Sequence, residues 1–365
     1  MNSTAISIIN LNAVKHNLSL IRARMPRQKI LAMVKSNAYG HGLIHVAKAI
    51  EDVDALGVAT IDEALQLRNA GINTDIVVMR GFVTREEIAV FLDDNRLIAG
   101  IHDEKQILLL EKNKIPHDKK LRIWMKIDTG MHRLGIPSES FQEIYNRLNA
   151  LPFIVKNFVI CTHLADADNA DKTFTQNQIA CFEKITKEIN NPKSILNSAG
   201  ILAHASACHE WIRPGLMLYG VSPFNYPGPH DELMKNFIPA MTFESKLIAI
   251  KTVNAGEKIG YSCTFTAERA MTIGIVGMGY GDSYPRHAQN GTPVLIRGER
   301  CPIVGRVSMD MITVDVSHLK NVAVDDTVTL WGRDLLVAEI AQYVNTVPHE
   351  LLCHLTGRVQ RVYLG

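Results

Sequence analysis

The chain has 365 residues, 47% of them hydrophobic and 21% charged, with a formal net charge of +2. That is globular composition with length enough for two domains, and near-balanced charge spread along the chain argues against nucleic acid or an acidic membrane surface as a partner. No apolar run approaches the ~20 residues that span a bilayer. The opening MNSTAISIINL lacks the basic and apolar regions of a signal peptide. Cys161, Cys181, Cys208, Cys263, Cys301 and Cys353 form no CxxC pair, which reads as reduced thiols in a cytoplasmic protein.

In chain order, LNAVKHNLSLIRARM sets Leu11, Val14, Leu18 and Ile21 on one face and predicts a helix. From residue 29 to about 220, β-type runs alternate with helical patterns. The runs are KILAMVK (29–35), DALGVA (54–59), TDIVVMRG (74–81), RLIAGIH (96–102), LRIWMKID (121–128), VKNFVICTHL (155–164), KSILNSA (193–199) and PGLMLYG (214–220). Between them, HGLIHVAKAIED carries Leu43, Val46 and Ile50 at helical spacing, and TREEIAVFLDDN opens on a Thr84/Glu87 capping box. Eight such alternations predict a (β/α)8 TIM-type barrel, with a doubly wound open sheet as the rival. Beyond about 235 the runs turn short and β-rich, with a helical pattern returning only at LLVAEIAQYV (335–344). The Pro- and Gly-rich FNYPGPHDELM (224–234) marks the boundary. The expected domains are a barrel at 1–232 and a mostly-β domain at 233–365.

Chemistry in such a barrel sits where strands end. Lys35 ends the first predicted strand, Lys126 and Asp128 the fifth, with Arg133 just beyond. His163 ends the sixth, Asn197 and Ser198 the seventh, and Arg213 precedes the eighth. Cations recur there and a carboxylate pair does not, which points to a polyanionic or carboxylate ligand and away from glycoside hydrolysis. No His/Cys/Asp cluster has metal-ligand spacing. Singly, each residue has a structural reading: a solvated lysine, a hydrogen-bonded histidine, a loop arginine. Recurrence on one face makes them a constellation. A lysine in a mostly apolar pocket loses some preference for its ammonium form, so its amine can attack an aldehyde. Pyridoxal phosphate (PLP) is such an aldehyde. Its phosphate would find the Ser198 hydroxyl and the N–H groups near Gly215 and Leu216, on the late strands where barrels hold phosphate. Tyr39 is close enough in sequence to Lys35 to reach the same group.

The ordered set AMVKSNAYGHG, MKIDTGMHRLG, NSAGI, RPGLMLYG, GYSCTF, GMGYGDSYPR and GRVSMDM resembles the bacterial alanine racemases, over about residues 5 to 365. The resemblance implies a PLP-binding barrel followed by a β-rich domain, in a homodimer whose sites are completed across the interface. It implies that Lys35 holds PLP and takes the α-proton of D-alanine, and that Tyr261 is the opposing base for L-alanine, reaching a neighbour's barrel. Arg213 would face the pyridine nitrogen, with His163 linking it to the tyrosine. Arg133 and the Met309 N–H would bind the substrate carboxylate. Lys126 matches a lysine often carbamylated in the family, and Asp168, Arg286 and Arg306 match positions lining the substrate entrance. The pathway implied is D-alanine supply for peptidoglycan.

Two departures stand out. Many relatives carry a tyrosine before RVPR that reaches the cofactor phosphate; here LTGRVQR has Gly357, which predicts a looser inner gate. Ser283 replaces a common glycine in GYGDSYPR and is expected to be silent. Three other readings are a broader-specificity racemase, a barrel-type PLP decarboxylase, which would put an acid in place of Arg213, and a non-catalytic PLP carrier, which would need no second domain.

Overall fold

The structure, a computed structural model, describes residues 5–228 and 230–365. The chain divides into two compact units, one built from Leu18–Ala38 and Gly42–Leu218, the other from the residues up to Asn17, Tyr39–His41 and Tyr219–Gly365.

The first unit is a closed ring of eight parallel strands. In order these are Lys29–Met33, Ala55–Val58, Ile76–Val78, Leu97–Ile101, Arg122–Asp128, Val159–Cys161, Lys193–Ser194 and Trp211–Ile212. Each pairs with the next, and the eighth closes on the first through Trp211↔Lys29 and Ile212↔Ile30. The strands are nearly all apolar because a parallel barrel buries both faces: Ala55–Val58, Ile76–Val78 and Leu97–Ile101 have no exposed residue. Helices return the chain between strands, and three start on reciprocal caps, Thr60 with Glu63, Thr84 with Glu87 and Asp103 with Gln106. Each satisfies N–H groups that a helix start otherwise leaves orphaned.

Several strand limits differ from the sequence reading; the sixth strand is Val159–Cys161, so His163 lies two residues past its end. The first strand stops at Met33, so Lys35 lies just past it. The seventh is only Lys193–Ser194, and Asn197 caps the helix Ser198–Ala203. The eighth is Trp211–Ile212, so Arg213 follows that strand instead of preceding it. The run expected as the eighth strand holds a 3-10 turn, Leu216–Tyr219. Pro214 has no N–H for a ladder, and a short buried apolar run does not by itself distinguish strand from helix.

In the second unit the long strand Met241–Val253 is the spine. It pairs antiparallel with Ile6–Asn10, Met271–Val276 and Thr327–Trp331. Met241, Phe243, Ser245 and Leu247 alternate inward with period two. Phe243 packs on Trp331 with ring centroids 4.5 Å apart, and Tyr284 stacks with Trp331 at 6.4 Å. The helix Val337–Tyr343 lies within the predicted 335–344. Among the described residues no helix is long and apolar enough to cross a membrane.

Candidate active site

Lys35 is half-buried at the end of a fully buried run. The next four residues, Ser36 to Tyr39, all have φ between 52° and 55°. A left-handed turn costs L-residues roughly 1–2 kcal/mol each, so the surroundings must over-determine it. The Ser36 N–H donates to Glu63 Oε1 at 2.6 Å, and the Ala38 N–H to Val34 O at 2.8 Å. Asn37 accepts twice, at its carbonyl from Gly42 and at Oδ1 from Leu43. Concentrated backbone strain of this kind gathers at functional sites.

The strand ends bring cations together. Lys126 sits in register beside Cys161 of the sixth strand. Burial, joined by the charges of Arg133 and Arg213, pushes its pKa down to about 8, against a smaller opposing pull from Cys161 and Asp128. His163 is held well below the ordinary imidazole range, first by burial and then by Arg213, Lys126, Arg133 and Lys35. A histidine kept neutral by burial, with four basic side chains near enough to act on it, suits an anionic ligand. The ion pairs among the described residues include none of Lys126, Arg133 and Arg213.

Arg213 is only 4% exposed. Its Nη1 donates to the carbonyl and hydroxyl of Ser194, and its Nη2 to the carbonyls of Thr162 and Ile195. Four acceptors on the ends of the sixth and seventh strands fix the plane of the guanidinium. Nε makes no hydrogen bond among the described residues. Just past the seventh and eighth strands the Ser198 hydroxyl accepts the N–H of Gly215 at 2.9 Å and of Met217 at 3.4 Å. Leu216, between them, is 2% exposed. Asn197 is committed as a cap, taking the Gly200 N–H on Oδ1. This donor set fits the expected cofactor: a half-buried lysine for its aldehyde, a fixed arginine for its ring nitrogen, and the Ser198 hydroxyl, held by two backbone N–H groups, as a donor for its phosphate. Asp168 is exposed on the loop after the sixth strand.

The remaining predicted residues belong to the second unit. Tyr39 is buried, 5.1 Å from the Tyr219 ring and 5.8 Å from that of His349, and burial raises both phenols' pKa. Gly40 is required beside it: with φ 82°, a Cβ would stand 1.9 Å from the Leu352 carbonyl oxygen. Tyr261 begins a 3-10 turn and is 66% exposed, and Met309 is 52% exposed. Arg286 and Arg306 line a cavity of about 430 Å³ with Thr264, Asn290 and Gly305.

Several supporting residues went unnoticed in the sequence. Gln178 is buried, accepts the Ala165 N–H and donates to the His163 carbonyl, so it holds the loop after the sixth strand. Asn290 joins the Tyr261 turn to the Arg306 loop, donating to Thr264 O and accepting from Gly305 N. Ser194 anchors Arg213. Only Glu63 carried a signal, the T-x-x-E spacing from Thr60.

Comparison with known proteins agrees along nearly the whole chain. The family model "Alanine racemase, N-terminal domain" matches residues 9–223, and "Alanine racemase, C-terminal domain" matches 240–363. An alanine racemase of Coxiella burnetii is 49% identical over 358 residues, 98% of each chain. One from Vibrio parahaemolyticus is 41% identical over 359 residues, 98% of this chain and 99% of that one. The crystal structure of biosynthetic alanine racemase from Pseudomonas aeruginosa has a TM-score of 0.93 at 36% identity, covering 99% of both chains. That of alanine racemase from Bartonella henselae, with covalently bound pyridoxal phosphate, has a TM-score of 0.88 at 28% identity over 100% of both.

Proposed function

The chain belongs to the alanine racemase family, and from that premise we propose that it inverts alanine with two bases on opposite faces of Cα, Lys35 from one subunit and Tyr261 from its partner. Racemisation of alanine and the use of PLP go with the family. The observation that supports the barrel half of this assignment best is Arg213, pinned through both Nη atoms beside the strand ends that carry Lys126 and His163.

When bound, PLP acidifies the Cα–H of an amino acid condensed with its aldehyde. The protein's own residues do the rest. Lys35 Nζ would carry the cofactor and, released by substrate, exchange a proton with Cα on the D-alanine side. The Tyr261 phenol oxygen would exchange one on the L-alanine side. Arg213, pinned through both Nη atoms, would donate from Nε to the ring nitrogen. A guanidinium does not give up its proton, so Arg213 would leave that nitrogen unprotonated, which would limit side reactions. His163, kept neutral, would pass hydrogen bonding from Arg213 toward the tyrosine. Tyr39, Ser198 and the N–H groups of Gly215 and Leu216 would hold the phosphate, with Asn197 shaping that loop. Arg133 and the Met309 N–H of the neighbouring subunit would take the substrate carboxylate. Asp168, Arg286 and Arg306 would line its entrance.

We propose a homodimer in which the mostly-β domain that carries Tyr261 also takes in the strand Ile6–Asn10, the barrel being Leu18–Ala38 and Gly42–Leu218. The exposure of Tyr261, Met309 and Met311 supports this, because large apolar side chains left in solvent mark interfaces. D-alanine for peptidoglycan, made in the cytoplasm, is the role we assign to the product. The test is chiral analysis of alanine after incubating L-alanine with purified, PLP-loaded protein, together with borohydride reduction and peptide mapping. D-alanine and a pyridoxyl group on Lys35 are expected; absence of both would overturn the reading.

Lys126 is assigned as a carbamate. With its pKa at about 8, about a quarter of the amines are neutral at pH 7.5, against roughly a thousandth for an ordinary lysine. Adding carbon dioxide would exchange a positive charge for a negative one beside Arg133 and Arg213. Carbon-13-labelled bicarbonate is expected to give a carbamate signal that Lys126→Ala abolishes. A signal unchanged in that variant would contradict the assignment.

Gly357 supports a broader substrate range as the second reading, since a Cβ there would meet nothing within 4 Å. Gly357→Tyr is therefore expected to fold normally, bind PLP several-fold more tightly and narrow the range toward alanine. Unchanged PLP affinity and unchanged range in equilibrium dialysis and substrate profiling would count against the loose gate.

A further inference from the structure

We propose that Ser283 is a positioning residue for substrate binding: its hydroxyl clasps the 354–356 segment and, through Arg358, fixes the loop that carries Met309. The inference rests on the reading of the Met309 N–H as a ligand of the substrate carboxylate. It also replaces the expectation that a serine here is silent.

Ser283 caps the 3-10 turn Tyr280–Asp282 with φ 90° and ψ 2°. That left-handed conformation favours glycine, so a serine there is strained and needs compensation. The compensation comes from far along the chain. Ser283 Oγ donates to the His354 carbonyl at 2.7 Å and accepts the Thr356 N–H at 2.7 Å. Thr356 Oγ1 returns the contact by donating to the Gly281 carbonyl at 3.1 Å. A glycine would relieve the strain and lose the clasp.

The clasp ends where Gly357 leaves the segment without a side chain to anchor it. Directly beyond, Arg358 Nε reaches Asp282 Oδ1 at 3.1 Å and its Nη2 reaches Asp310 Oδ1 at 2.8 Å. The guanidinium lies against the turn, since a Cβ on Gly281 would stand 2.5 Å from Arg358 Nη1. Asp282 is buried and uses its other oxygen to accept the Gly279 N–H at 3.0 Å. Asp310 follows Met309. The Met309 loop is further tied by Tyr280 N–H to Ser308 O at 3.0 Å and Gly281 N–H to Met309 O at 2.8 Å. Three segments, 279–284, 308–310 and 354–358, thus lock around one arginine, and among the described residues Ser283 is the only hydroxyl that ties the first to the backbone of the third in both directions. A loosened clasp frees Arg358, and Arg358 is what holds Asp310 next to the carboxylate-binding N–H.

The test uses Ser283→Gly, which the backbone tolerates, and Ser283→Ala, which keeps the strain without the hydroxyl. Both are expected to raise the KM for alanine about tenfold, the value of one or two hydrogen bonds, with kcat within about twofold. Amide exchange at Thr356 and Gly281 in the PLP-loaded enzyme is expected to quicken by a similar factor, and Ser283→Ala with Thr356→Val is expected to be non-additive. Faster exchange with an unchanged KM would overturn the proposal by leaving the clasp purely structural. Unchanged exchange would overturn the clasp itself. A parental protein with no saturable turnover of alanine would remove the reading beneath the proposal, and the exchange data would then judge the clasp separately.

Discussion

Lys35→Ala is expected to abolish racemisation in both directions, by at least about 10⁴-fold, the upper range for removing a positioned acid–base group. Two losses combine. The cofactor loses its covalent attachment, and Cα loses its base on the D-alanine side. Arginine is the informative companion, because Lys35→Arg keeps the charge but does not form the attachment. Both variants are expected to fold, since Lys35 lies past the last ladder residue, Met33, and the left-handed turn is held by Glu63 and the backbone. Absorbance of the bound cofactor and chiral analysis check this. A Lys35→Ala enzyme within tenfold of the parent would place the attachment on another lysine.

Tyr261→Phe is expected to reduce racemisation by about 10³-fold while leaving slow exchange of the α-proton of D-alanine through Lys35. Stability should change little, because the side chain is 66% exposed and surface substitutions usually stay within about 0.5 kcal/mol. If Tyr261 acts on the neighbouring barrel, mixing subunits separates the two bases. A heterodimer of one Lys35→Ala subunit and one Tyr261→Phe subunit holds one site with both bases intact and one with neither. Co-expressed heterodimers should therefore regain up to about half the parental rate. Heterodimers as inactive as either parent variant would show that both bases belong to one chain.

How much of this was legible in the sequence depends on which interactions are local. Helix starts were, because a capping box such as Thr84 to Glu87 is written within four residues. The barrel followed from the alternation of apolar runs with helical spacing. The eighth strand did not, because Pro214–Tyr219 is as apolar as a strand but folds into a turn whose N–H groups gather on Ser198, far back in the chain. Ile6–Asn10 was missed as a strand because its inward face carries Ser7 and Ile9 while Ile6 and Ile8 are only half-buried, so the usual alternation is blurred. The left-handed turn after Lys35 had no local cause to read; Glu63, its anchor, comes from the helix Ile61–Asn69, beyond the second barrel strand. Site chemistry was legible as a run of strand-end cations, and the structure adds why they suit an anion. Arg213 has both Nη atoms committed to carbonyls and the Ser194 hydroxyl, which leaves Nε for a ligand, and burial followed by the surrounding charges holds His163 well below the ordinary imidazole range. Nothing in the residues around Tyr261 singles it out as a base; that assignment came from resemblance. Ser283 looked silent because its partners lie some seventy residues away.

The most direct test of two opposing bases is the isotope content of both alanine enantiomers, sampled early in a reaction that starts from L-alanine in deuterium oxide with the PLP-loaded enzyme. Two bases on separate faces predict D-alanine that carries solvent deuterium at Cα while the remaining L-alanine stays largely protiated. D-alanine that retains the original proton, or L-alanine that gains deuterium as fast as D-alanine forms, would mean that a single group serves both faces, and the pairing of Lys35 with Tyr261 would be wrong.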